Sequence, residues 1–316
     1  MIKRPVIIDC DTGTDDAIAL IAALYSPELD IRAFTTVVGN VALKYTSRNT
    51  LNLVRHLGFD TKVAVGAPKP VLREEIIYSG NKTHGDTGLG SLVLPETDKP
   101  FYEKTAVETI YEEAVTCGGE LELIPIGPLT NIALAVMAHP DLKEMIKQIV
   151  FMGGAKYGGN ITTTSEFNIW ADPEAARIVF ASGIPLTMVG LDVTRKAALS
   201  SQDTAEIRAM GTKDAVIVAD ILDFMLDRHA KGGEDALMHD ALTVGVCINP
   251  SLVKMTKYYV DCECSGKYTS GHTMVAATKL FRNEPNCFVA EELDLTAFKA
   301  WIKGAIANSA KKPRFL

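Results

Sequence analysis

Three observations predict an α/β fold built on a parallel sheet, in a single domain over residues 1–316. Short β-branched runs alternate with longer helical patterns, the rhythm of strands joined by crossover helices. The 316 residues are 47% hydrophobic and 22% charged, enough for a sizeable core and too apolar for disorder, collagen or coiled coil. No repeat, low-complexity tract or linker divides the chain.

In order, Val6–Asp9 predicts a strand, Ala17–Leu24 a helix, Ile31–Val38 a strand, Leu43–Leu57 a helix and Val63–Val65 a strand. Residues 67–101 hold Pro68, Pro70, the run HGDTGLG at 84–90 and Pro95, which predicts a long binding loop or lid. The rhythm resumes with Leu121–Pro125 as a strand, Leu129–Met137 as a helix and Gln148–Met152 as a strand. A helix follows over Asp172–Ala181, because Asp172-Pro173-Glu174 supplies a cap, a first-turn proline and an acid. Pro185–Val189 is a further strand. Ser201–Arg228 is mostly helical with a break at Gly211, and residues 231–234 read as a mobile connection. His239–Ile248 reads as a buried helix, Thr256–Cys264 as strand and Ala297–Ile306 as a final helix.

Lys and Arg total 32 against 39 Asp and Glu, a net charge of −7 with neither sign gathered into a run, which disfavours nucleic acid as a partner. A neutral, polar small ligand fits better. The six cysteines are scattered and read as free thiols, with Cys262 and Cys264 on an alternating strand rather than in a metal site. The first residues show no signal peptide, and no apolar run approaches the roughly 20 residues of a membrane span. The expectation is a cytoplasmic protein without a membrane partner.

The densest chemistry is IIDCDTGTDDA, where Asp9, Asp11, Asp15 and Asp16 fall at the end of the first strand. Carboxylates this close repel one another unless a cation sits among them, and oxygen-only donors suit Ca²⁺ or Mg²⁺. Side chains two apart on a strand share a face, so Asp9 and Asp11 point together, with Asp15 and Asp16 at the helix start beside them. Gly13 allows the sharp turn between. The plain alternative is a helix cap with solvated neighbours. Two sharper ones are an EF-hand-like loop, which lacks its position-12 acid because Leu20 stands there, and a Mg²⁺-dependent haloacid-dehalogenase-like phosphatase using Asp9 and Asp11.

Other strand ends are polar or glycine-rich: Asn40 ends VVGN, Gly127 to Asn131 follow LELIP, and Gly153-Gly154 follow IVFM. The loop with Asn160, Glu166 and Asn168 offers amides and an acid suited to a hydroxyl-rich ligand, or is simply a hydrated loop. In His239-Asp240, Asp240 is either a helix N-cap or a further metal carboxylate, with His239 a proton donor tuned near neutrality.

Taken together, Asp9-Cys10-Asp11-Thr12-Gly13-Thr14-Asp15-Asp16-Ala17, VVGN, HG-x-x-G, G-x-LTNIA, MGG, the EFN loop, DPEAA and the late His-Asp resemble the calcium-dependent nucleoside hydrolases of the inosine-uridine-preferring type. Only Thr12, where proline is usual, departs from the first motif. The resemblance implies a doubly wound, mostly parallel sheet with helices on both faces, Rossmann-like. It also implies hydrolysis of the N-glycosidic bond of ribonucleosides to ribose and free base, in nucleoside catabolism and salvage. Residue by residue, Ca²⁺ would be held by Asp11, Asp16 and Asp240 and by the Ile126 carbonyl. Asp11 would act as general base on the calcium-bound water and His239 as proton donor to the base. Asp15, Asn168 and Asp240 would hold the ribose 2′- and 3′-hydroxyls, Asn160 and Glu166 the 5′-hydroxyl, and Asn40 would line the same pocket. His84, Met225 and His229 belong to the base-binding end, and a homodimer or homotetramer is implied. A ligand-binding sensor without turnover is a different class, and a nucleoside phosphorylase is disfavoured because it needs a cationic phosphate site, whereas an aspartate cluster would repel phosphate.

Overall fold

The computed structural model describes residues 3–74, 83–229, 235–276 and 283–311. Its strands are β1 Arg4–Cys10, β2 Leu29–Thr36, β3 Lys62–Val65, β4 Leu121–Pro125, β5 Ile146–Met152, β6 Leu186–Val189, β7 Ala198–Leu199, β8 Ala236–Leu237, β9 Val253–Tyr258, β10 Val260–Cys262, β11 Thr273–Val275 and β12 Cys287–Leu293. Eight of them form one sheet in the order β3-β2-β1-β4-β5-β6-β12-β9, parallel except for β9. The doubly wound, mostly parallel sheet is therefore as the sequence predicts.

Helices cover both faces, so the central strands are apolar along their whole length. In β1, Val6 and Ile8 join the cluster packed by the helices Thr14–Leu24 and His239–Ile248, while Ile7 joins the opposite one under Thr130–Ala138 and Pro173–Phe180. β1 pairs with β2 on one side and β4 on the other, so the winding reverses between β1 and β4. Beyond the carboxyl ends of those two strands a crevice opens, which is where open sheets of this kind bind ligands.

Asp172 caps Pro173–Phe180 as expected, and it does more. Its carboxylate accepts from the Ala175 amide (3.1 Å), the Val71 amide (2.8 Å) and the Thr130 hydroxyl (2.7 Å) in a fully buried position. Asp172→Ala is therefore expected to lower stability by about 3 kcal/mol, a cap plus a stranded buried donor. Urea unfolding measures this; a loss under about 0.5 kcal/mol would mean water replaces the carboxylate.

Three expectations need correction. The stretch Thr256–Cys264 is not one strand: β9 pairs antiparallel with β12, and after Tyr259 the chain leaves the sheet to form the β10-β11 ribbon. Asp240 is not an N-cap, because Met238 holds that position and Asp240 lies in the first turn of His239–Ile248. The helix Ala106–Cys117, closed by a Thr105–Glu108 capping box, and β12 have no counterpart in the sequence reading. The proposed mobile connection at 231–234 lies outside the described residues, as do 75–82 within the long loop and the side chain of His229. Among the described residues no helix is long and apolar enough to cross a membrane.

Candidate active site

After Cys10 the chain leaves β1 and turns through Asp11-Thr12-Gly13 into the helix Thr14–Leu24. Gly13 occupies the N-cap without a side chain, so Asp16 at the third helical position does the capping from within. Its Oδ2 accepts from the Gly13 amide (2.9 Å) and Asn40 Nδ2 (2.9 Å), and its Oδ1 from the Asp11 amide (3.2 Å). Asp11 Oδ2 accepts from the Asn40 amide at 2.5 Å. Asp15 Oδ2 accepts from the Asp240 amide at 2.9 Å, which ties the late His-Asp pair to the first motif.

Asp11, Asp15, Asp16 and Asp240 are all buried. Burial first, then mutual repulsion, raises Asp11 and Asp240 well above the ordinary carboxylate value and Asp15 to about 8. Asp16 is raised by burial against several lowering hydrogen bonds. Asp9 does not join this group. Period-two alternation ends at Cys10, and Asp9 Oδ1 is taken by the Thr35 hydroxyl (2.5 Å) and Asn131 Nδ2 (2.7 Å), with burial pushing the carboxyl to about 7.

Does this set fit a cation? Asp11 Oδ1 and Asp15 Oδ1 are buried without a hydrogen-bond partner, the condition a bound cation relieves. Glycine makes the room: a Cβ at Gly39 would lie 2.0 Å from Asp11 Oδ2, and one at Gly127 2.8 Å from Asp11 Oδ1. Among the described residues no three His, Cys, Asp or Glu side chains are grouped so that they could hold a metal ion by themselves. Carboxylate oxygens and a backbone carbonyl such as that of Ile126 are the kind of donors a hard divalent ion takes.

Above the acids lies a cavity of about 300 Å³, lined by Asp15, Asn40, Ile126, Asn160, Glu166, Asn168, His239 and Asp240 among others. Asp11 and Asp16 lie outside that lining. Asn168 Nδ2 donates to the carbonyls of Ile126 (2.9 Å) and Met152 (3.2 Å), leaving Oδ1 as its accepting end. Glu166 caps the helix Phe167–Ala171 and accepts from the amides of Gly154, Asn168 and Ile169. Burial raises it to about 7. Asn160 Oδ1 accepts from the Phe167 amide, which leaves Nδ2 to donate. Glu166 and Asn168 are thus buried and tied down, while Asn160 at the start of the loop is exposed.

The remaining wall is less polar: Met225, Leu237, Phe167, Trp170, Thr83 and His84, with Arg228. The Thr14 amide donates to His84 Nδ1 (3.1 Å), so that nitrogen carries a lone pair and the ring is neutral. Burial first, then Arg228, pulls His84 down to about 3. His239 Nδ1 contacts Thr194 Oγ1 at 2.8 Å, and burial followed by Arg195 and Arg228 pulls the ring to about 4, below the near-neutral value expected from sequence. Arg228, Phe167 and Trp170 were missed by sequence reasoning. Met225 was noticed, and Arg228 three residues on shares its helix face, so the spacing held the signal.

The sequence profile of the inosine-uridine preferring nucleoside hydrolases matches residues 6–300. The chain belongs to that family. It is 43% identical over 298 residues to the pyrimidine-specific ribonucleoside hydrolase RihA of Escherichia coli, covering 93% of this chain and 95% of that one. The purine-preferring ribonucleoside hydrolase from Gardnerella vaginalis superposes with a TM-score of 0.92 at 33% identity, over 98% of this chain and 99% of that one. A plant nucleoside hydrolase gives 0.92 at 28% identity, over 97% and 99%. As a nucleoside hydrolase, this enzyme breaks the N-glycosidic bond of ribonucleosides. The phosphatase alternative is not supported by the family match, and the Asp9 it would use as nucleophile has Oδ1 held by Thr35 and Asn131.

Proposed function

We propose that this nucleoside hydrolase acts on pyrimidine ribonucleosides in preference to purine ones, with Asp11 as general base and Ca²⁺ held by Asp11, Asp16, Asp240 and the Ile126 carbonyl. The observation that carries the reading is Asp11 Oδ1, buried and without a partner next to a cavity walled by sugar-binding groups. The higher identity to a pyrimidine-specific relative than to a purine-preferring one supports the base preference.

Bound there, the cation would supply the electron-poor centre that lets water give up a proton at neutral pH. The chain does the rest. Asn40 holds Asp11 Oδ2, so Oδ1 is the oxygen turned to take that proton. Asp15, Asp240 and Asn168 Oδ1 receive the 2′- and 3′-hydroxyls, while Asn160 Nδ2 and Glu166 receive the 5′-hydroxyl. Carboxylates so placed favour the oxocarbenium-like sugar formed as water adds at C1′ and the base departs from the opposite face. His239, on the cavity wall, gives a hydrogen bond to the departing base from its neutral ring and a proton from its minor imidazolium form.

The test is reducing-sugar release from uridine, cytidine and inosine without phosphate, with and without a chelator. Ribose from pyrimidine nucleosides at ten times or more the rate from inosine, lost on chelation, is expected. Tight nucleoside binding with no ribose would turn the reading to a sensor. His239→Ala is expected to slow uridine about 100-fold and to spare 4-nitrophenyl riboside, whose leaving group needs no proton. Equal loss on both would remove the donor role. A cytoplasmic homodimer or homotetramer, suggested by the family and compatible with exposed apolar side chains such as Val93, is checked by sedimentation and fractionation.

A further inference from the structure

Arg228 is the one lysine or arginine among the described residues lining the cavity, whose other charged groups are the acids Asp15, Glu166 and Asp240. It is half-buried and held in place. Its Nη1 donates to the Thr83 carbonyl; the neighbouring His84 is held through Nδ1 by Thr14, the residue before Asp15. A second joint lies one turn earlier, where Phe224 packs so closely on Gly90 that a Cβ there would sit 2.5 Å from its ring. The guanidinium is therefore fixed relative to the sugar-binding acids by a short series of contacts. Met225, three residues before it, places an apolar surface beside the charge.

We propose that Arg228 is a catalytic residue for base departure, taking up the negative charge the base acquires as the C1′–N bond breaks. The inference rests on the reading of the cavity as a ribonucleoside site. In that step the bonding electron pair goes to the base nitrogen and spreads onto an adjacent carbonyl oxygen. Water oxygen bonds C1′, its proton goes to Asp11, and a proton from solvent then neutralises the base. A guanidinium stays charged throughout, carries five N–H donors and accepts nothing. The substrates it favours are ribonucleosides whose base carries a carbonyl next to the glycosidic nitrogen, as pyrimidines do. His84, a neutral ring with Nδ1 already accepting, adds at most a neutral donor from Nε2. The charge has to come from Arg228.

The experiment compares R228Q, R228K and the unaltered calcium-loaded enzyme on uridine, 5-fluorouridine and 4-nitrophenyl riboside, whose leaving groups are increasingly acidic. R228Q is expected to lose about 100-fold in kcat on uridine, the scale of losing one preorganised donor to developing charge, with little change in KM. The loss should shrink on 5-fluorouridine and nearly vanish on 4-nitrophenyl riboside. R228K should retain more activity than R228Q, and added guanidinium should partly restore R228A. Equal losses on all three substrates would overturn the proposal, since a residue that only braces the wall cannot sense leaving-group acidity. Inhibition by ribose reports whether the sugar site is intact in each variant. In the unaltered enzyme, 5-nitrouracil, ionised at neutral pH, should inhibit more strongly than uracil, and equal or weaker inhibition overturns the proposal even if no variant folds. Failure of the substrate reading looks different: the unaltered enzyme would then release no ribose from uridine.

Discussion

Asp11→Asn is expected to lower kcat on uridine by about 10⁴-fold, at the upper end of what a positioned base contributes. The substitution is nearly isosteric, and the amide oxygen can still accept from the Asn40 amide, so the turn after β1 keeps its shape. What is lost is the negative charge and the proton-accepting oxygen that now sits buried without a partner. The same change should make the metal-free protein more stable, because burial and Asp16 already disfavour the ionised carboxylate. A functional residue and a merely structural one thus separate cleanly: turnover falls while the metal-free unfolding midpoint rises. Steady-state ribose release and thermal unfolding of the same preparations decide it. An unaltered rate would remove the general-base assignment, and a large fall in both would mean the carboxylate holds the fold.

The parts of this site that can be read from sequence are those where chemistry is concentrated locally. Asp11, Asp15 and Asp16 lie within six residues, and four acids at a strand end need an explanation whatever the fold. Asp240 is different. Locally it reads either as a helix N-cap or as a metal carboxylate, and its link to Asp15 spans the two halves of the chain through a backbone amide; the resemblance favoured the second reading. Asp9 shows the opposite error, since the two-residue period was extended one position past the end of β1. In the fold, strands whose inward and outward faces are both apolar declared themselves. β12 did not, because its second half carries Glu291 and Glu292, which bond Lys156 and Lys254 at the sheet's edge. Arg228 was passed over because an arginine near a helix end is ordinary, and its place in the cavity depends on where residues 83–90 cross the helix.

The second large effect is on stability, and its sign follows from the direction of the carboxyl shifts. In the unfolded chain the carboxyls release their protons near pH 4. In the fold Asp9 and Glu166 hold theirs to about 7 and Asp15 to about 8, with Asp11 and Asp240 well above the ordinary range, each mainly through burial. A folded value above the unfolded one means the folded state binds more protons. The stability these groups contribute is complete below about pH 4 and drains away as pH rises through the folded values. For Asp9 alone, 3.8 to about 7 corresponds to about 4 kcal/mol. Glu291, held by Lys156 at about 2, and Asp203, held low by Lys299 and Lys303, act in the opposite sense, but their loss falls below pH 4.5. Glu291 is part-exposed and counts for less, while Asp203 is buried but titrates below the range considered. His84 and His239, pulled by burial below the ordinary imidazole value, act in the opposite sense up to about pH 6.5, so it is between pH 6.5 and 8 that the metal-free protein should melt at progressively lower temperature. Calcium should reverse the trend, because binding requires the ionised carboxylates and strengthens as they are freed of protons. Thermal unfolding at pH 5, 6, 7 and 8 of dialysed, chelator-treated enzyme, with and without added calcium, tests both halves. A midpoint flat or rising above about pH 6.5 without metal would show that the buried acids are already neutralised by groups of the chain itself. The cation site would then lose its physical basis. A falling midpoint that Asp11→Asn makes shallower would locate the stored repulsion at the residue assigned to the chemistry.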